Sequence, residues 1–148
     1  MMELSRGAIA DVENILDLLM ELFIQEEEFC FDRELSKKAV IEILSDTRLG
    51  EILVAKKGAK VIGMVTLLRT VSTALGQPVL LLEDMIVGEQ YRDQGVGSSL
   101  IKYAKSIAEE LKCGRISLLS DHINKDAHRF YGKNGFSRSN MVTFRCIV

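Results

Sequence analysis

The chain has 148 residues, 47% of them apolar and 27% charged. That fits one globular domain, burying roughly 70% of its extended surface, and excludes a disordered or low-complexity chain. Nineteen basic groups stand against 21 acidic ones, which argues against a protein that grips nucleic acid through net charge.

No apolar stretch approaches the roughly 20 residues of a membrane span, and no apolar signal segment follows a basic start, so a soluble, cytoplasmic protein without membrane partners is expected. In chain order, residues 4–9 predict a short first strand. From Asp11, read as an N-cap, Val12, Ile15, Leu16, Leu19, Leu22 and Phe23 recur at helical spacing, and the helix fades at Gln25, Glu26, Glu27 and Glu28. A second helix fits residues 35–45. The period then changes to two: residues 51–56 and 61–69 flank Lys57-Gly58-Ala59-Lys60 as a hairpin. Residues 79–87 are nearly all apolar and read as a central strand covered on both faces. A glycine-rich connection leads to a helix over 97–111. Residues 115–120 predict a strand, 125–134 a short helix stopped by Gly135, and 141–147 a last strand. The expected fold is an α/β (α+β) mixed sheet of about six to seven strands with helices on both faces, in one domain over residues 4–148. The strand–helix–strand unit 79–120 implies a parallel pair.

Three segments carry chemistry. In Tyr91-Arg92-Asp93-Gln94-Gly95-Val96-Gly97-Ser98, two glycines precede a helix whose free N–H groups and dipole suit an anion, with Arg92 as an added donor. An ordinary glycine turn is the plainer reading. It is neither a dinucleotide nor a Walker A loop. The second segment runs from Asn124, a helix cap, to Phe136. Its Tyr131 offers a phenol able to protonate a thiolate, or is simply a half-buried packing tyrosine. The third is Glu83-Asp84 inside the apolar strand. Alternation points the two carboxylates to opposite faces, and each either lines a site as a base of raised pKa or is salt-bridged. Cys30, Cys113 and Cys146 are widely spaced, and His122 and His128 are six apart. Neither a metal site nor a disulfide framework is expected. Residues 1–34 carry a net −8 and residues 91–148 a net +5. This reads as solvated helix faces or as one end for a cation and the other for an anion.

Arg92-Asp93-Gln94-Gly95-Val96-Gly97, residues 82–87 ahead of it, and the segment Asn124…Ala127…Phe130-Tyr131-Gly132-Lys133-Asn134-Gly135-Phe136 together resemble the GNAT superfamily of acyl-CoA-dependent N-acetyltransferases. The resemblance covers about residues 4–148, with Gly132 where the family more often has Glu. It implies acetyl-CoA as co-substrate and a splayed pair of parallel strands. Backbone groups of Met85, Ile86 and Val87 would meet the pantetheine. Arg92, Gln94, Gly95, Val96, Gly97 and Ser98 would meet the pyrophosphate. Asn124, Tyr131 and Lys133 would lie by the cofactor, with Lys133 or Arg129 near its remaining phosphate. Glu83 is the expected base, Asp84 its reserve should a bulge shift the strand, and Tyr131 the acid. The oxyanion would meet a strand N–H near Ile86. The acceptor is an amine of a small molecule, peptide or protein, and a homodimer is left open. The alternative is a non-catalytic acyl-CoA-binding or sensor domain on the same fold.

Overall fold

The computed structural model describes residues 1–26 and 30–148. The expected acidic end of the first helix falls partly outside them, at Glu27 and Glu28. Strand β1 (Met2–Arg6) is followed by helices α1 (Val12–Gln25) and α2 (Arg33–Ser45), then by strands β2 (Gly50–Lys57), β3 (Lys60–Ser72) and β4 (Gln77–Val87). Helix α3 (Val96–Glu110), strand β5 (Ile116–Leu118) and helix α4 (Lys125–Lys133) complete the order. The helices bury the residues their periodicity marks. Val12, Ile15, Leu16 and Leu19 of α1 and Leu100, Ile101, Ala104 and Ile107 of α3 are all buried.

Among the described residues the sheet has five strands in the order β1-β2-β3-β4-β5 rather than six to seven. Its first three pairings are antiparallel and β4–β5 is parallel. Two hydrophobic layers cover it. One gathers α1 and α2 over Ile52, Val54, Met64 and Ile86. The other gathers α3, with Phe130, Tyr131 and Phe136, over Leu53, Val65, Leu67, Leu80 and Leu82. No helix among the described residues is long and apolar enough to cross a membrane.

Three local expectations are corrected. Asp11 does not cap α1 by its side chain. Its buried carboxylate accepts from the Ala8 N–H at 2.8 Å, closing a 3-10 turn, and pairs with Lys56 at 2.6 Å. Helix α2 begins two residues earlier than the apolar period suggests, because Asp32 accepts from the N–H groups of Glu34 and Leu35 at 3.1 and 3.2 Å. Residues 137–148 form no strand, and Val142 and Phe144 stand exposed. An alternating pattern supplies a face but not a hydrogen-bonding partner, and three-residue β5 offers little edge for one.

Candidate active site

The site begins where the parallel pair ends. Strand β5 matches β4 only at Leu80, Leu81 and Leu82. At that level β4 also slips against β3: Leu82 faces Leu67 and Asp84 faces Thr66, so Glu83 is an inserted residue. Beyond it, among the described residues, β4 has β3 on one side and no strand on the other. The Gly88 N–H donates to Ile62 of β3 at 2.8 Å, whereas the Leu80 N–H, before the bulge, reaches Arg115 on the β5 side at 3.0 Å. Alternation between these anchors turns the backbone groups of Ile86 toward β3 and those of Met85 and Val87 toward the open edge. The Val87 carbonyl accepts from Arg92 Nε at 3.0 Å. The rest of that edge offers a ligand main-chain hydrogen bonds.

The bulge also decides where the carboxylates go. Leu82 lies in the α3 layer, Met85 packs against that same layer, and Ile86 belongs to the α1–α2 layer. The two residues in between therefore both fall on the α1–α2 side. This corrects the expectation that Glu83 and Asp84 point to opposite faces. Glu83 is exposed and Asp84 half-buried. Burial raises the Asp84 carboxyl from its ordinary 3.8 to about 6; the Thr66 hydroxyl bonded to it opposes the rise, and the charges of Glu83 and Glu26 add to it. Thr66, almost wholly buried, was not singled out by sequence, although a hydroxyl in so apolar a strand was the available signal.

Between β4 and α3 the chain makes a loop whose Gly95 takes φ +81°, a left-handed conformation that glycine adopts without strain. The first helical bond runs from Ser99 N–H to the Gly95 carbonyl at 3.0 Å. The N–H groups of Val96, Gly97 and Ser98 precede it, with no acid in the first turn. Arg92 is not aimed at that cradle. Its guanidinium bonds Glu21 of α1 at 3.1 Å, and the same Glu21 oxygen accepts from the Glu89 N–H at 3.0 Å. Gln94 donates to the Gln90 carbonyl at 3.1 Å. Both side chains brace the loop. Glu21, 71 residues from Arg92 in the chain, carried no sequence signal.

Asn124 caps α4 by accepting from Ala127 N–H at 3.1 Å. Phe130 reaches the first turn of α3, where a Cβ on Gly97 would lie 3.0 Å from its Cζ and 3.4 Å from Met85 Cε. Tyr131 sits edge-on between Phe130 and Phe136, with centroids at 5.2 and 5.6 Å. Burial raises its phenol to about 12. Arg129 pairs with Asp126 on its own helix. Lys133 ends α4 beside a groove along α3.

The sequence model described as the acetyltransferase (GNAT) family matches residues 12–136. The chain belongs to that family. Among curated GNAT relatives it is 28% identical to the uncharacterized N-acetyltransferase YhfO of Bacillus subtilis over 65% of this chain and 64% of that one, so the match spans just under two thirds of that relative. It is 24% identical to the aminoalkylphosphonate N-acetyltransferase of Salmonella typhimurium, over 93% of this chain and 86% of that one. Among solved structures, a possible acetyltransferase from Clostridium difficile 630 superposes with a TM-score of 0.90 at 20% identity, covering 99% of this chain and 97% of its own. An aminoglycoside acetyltransferase from a soil metagenome, in complex with sisomicin, does so with a TM-score of 0.80 at 19% identity, over 99% and 96%. These two likenesses speak for the fold.

Within this GNAT domain the acidic first helix is largely neutralised. Glu13 bonds Arg33 and Lys37, which hold its carboxyl down at about 2. Asp17 also meets Arg33, and Glu21 meets Arg92. The local charge left facing the bulge comes from Glu83, Asp84 and Glu26. Burial pushes the Cys113 thiol up, the wrong direction for a nucleophile.

Proposed function

We propose that this chain transfers an acetyl group from acetyl-CoA to a primary amine by direct attack in a ternary complex. The observation that carries the reading is the end of β4–β5 pairing at Leu82, which leaves an open strand edge leading straight to a helix N-terminus. In this reading the pantetheine amides pair with Met85 and Val87, and the pyrophosphate rests on the N–H groups of Val96, Gly97 and Ser98. The acceptor comes from the α1–α2 side. Asp84 is the base, because its raised pKa brings it near working pH, while solvated Glu83 holds the incoming ammonium beside it. The proton passes to Asp84 and the freed nitrogen pair attacks the thioester carbon. The Met85 N–H bonds the oxyanion. The C–S bond then breaks toward the α3 side; the attacking nitrogen, now positively charged, gives up its second proton, and the departing sulfur, hydrogen-bonded by Tyr131, takes up one proton in its place. The products are the N-acetyl amine and the CoA thiol.

Thiol release from acetyl-CoA across a panel of primary amines tests this. Turnover on at least one amine is expected. Saturable acetyl-CoA binding without turnover on any amine would favour the non-catalytic sensor.

Gly97→Val tests the packing of the cradle. The new side chain displaces Phe130 or Met85, and such overpacking costs about 1–3 kcal/mol. The expected result is a KM for acetyl-CoA raised about tenfold with a melting temperature lower by a few degrees, read from steady-state kinetics and a thermal melt. Wild-type KM would detach α4 from the cofactor cradle.

A further inference from the structure

Glu21 is an acid held against the loop that the acyl-CoA reading gives to an anion. One of its oxygens makes two contacts. It accepts from the Glu89 N–H at 3.0 Å, at the head of the 3-10 turn Glu89–Tyr91, and from Arg92 at 3.1 Å, just past the end of that turn. Gly88 precedes the turn and has no side chain to cap it, so the cap comes from α1. Arg92 also donates from Nε to the Val87 carbonyl at 3.0 Å, which closes the stretch 87–92 on itself. Packing does little to fix the turn against α1. A cavity of about 280 Å³ lies between them, lined by Leu18, Glu21, Ile62, Gly88 and Tyr91 among others. Downstream, Asp93 takes φ +58° and Gly95 φ +81°. Asp93 is the costly one, since a residue with a side chain holds the left-handed conformation only where its surroundings impose it. Arg92 stands directly before it.

The tie to Glu21 thus fixes the entry to the two left-handed residues that aim the N–H groups of Val96, Gly97 and Ser98. We propose that Glu21 is a positioning residue for CoA: through Arg92 and the Glu89 N–H it holds the phosphate loop in its binding shape, so that a carboxylate raises the affinity for an anion. The inference rests on the acyl-CoA reading above and adds to it a residue from the helix on the acceptor side. Charge alone predicts the reverse. A carboxylate near a pyrophosphate repels it, and an Arg92 released from Glu21 would be free to bind phosphate.

Calorimetry on the full chain with CoA, with a thermal melt beside it, separates the two. Glu21→Ala is expected to bind CoA about tenfold more weakly, because the ligand must then order the loop itself. Glu21→Gln keeps an oxygen that can accept from Glu89 and Arg92, and its affinity should fall between wild type and the alanine variant. Arg92→Ala should cost about as much as Glu21→Ala, and the double variant little more than either, as expected of residues that act as one unit. Unchanged or tighter CoA binding by Glu21→Ala would overturn the proposal while leaving the acyl-CoA reading intact. That holds even with a lower melting temperature, which is what a purely structural tie would give. Losses that add in full in the double variant would also overturn it, making Arg92 a phosphate ligand in its own right. No CoA binding by the wild-type chain would overturn the acyl-CoA reading and this inference together.

Discussion

Asp84→Asn is expected to lower kcat by about 10²–10⁴-fold, the usual contribution of a positioned general base, while acetyl-CoA affinity stays near wild type. The pH profile separates this from mere disturbance of the strand. A carboxyl at about 6 gives the wild type a rising limb of kcat/KM near that pH. The variant lacks that limb and climbs instead with the fraction of acceptor that is already neutral. Stability should move the other way. Protonation of Asp84 favours the folded state, a contribution that is complete below 3.8 and is lost as the pH rises through about 6. A rise of that size corresponds to roughly 3 kcal/mol. Above pH 6 the asparagine variant should therefore melt a few degrees higher than the wild type, although it is nearly inactive. Glu83→Gln, which keeps Asp84, should retain the limb and lose mainly acceptor affinity. A limb that survives in Asp84→Asn and vanishes in Glu83→Gln would hand the role of base to Glu83.

What the sequence made legible was local. Gly95 ahead of α3 and Gly97 in its first turn, the cap at Asn124 and the apolar stripes of α1 and α3 each depend on residues within one or two turns, and each lies close to where its spacing indicates. What it hid depended on partners far along the chain. The bulge exists only in the register of β4 against β3, so strict alternation put Glu83 and Asp84 on opposite faces when both belong to one. Arg92 reads as a phosphate ligand until Glu21 is found on it from α1. The acidity of residues 1–34 reads as a field for a cation until Lys37, Lys56 and Arg92, all from outside the segment, pair with Glu13, Asp11 and Glu21. The strand pattern of residues 141–147 is a property of the segment alone, and pairing requires a second strand.

Tyr131→Phe should lower kcat about 10²-fold and leave acetyl-CoA affinity within a few-fold. The ring packs edge-on between Phe130 and Phe136, a role that phenylalanine keeps. Only the hydroxyl is lost, and burial is what sets its pKa. Its service is set by its pKa. At about 12 the phenol carries its proton at every working pH, so it is always a donor. Thiols lie near 8.5, and full transfer from such a phenol to a free thiolate is uphill by roughly 3.5 units. The phenol therefore acts as a hydrogen-bond donor that lightens the charge on departing sulfur, which is why the expected loss sits at the low end of general-acid effects. The loss should shrink with an acyl donor whose thiol is more acidic, since that sulfur needs less help in leaving, and the limb near pH 6 assigned to Asp84 should stay in place. Equal loss for good and poor leaving groups would remove Tyr131 from the sulfur and return it to packing.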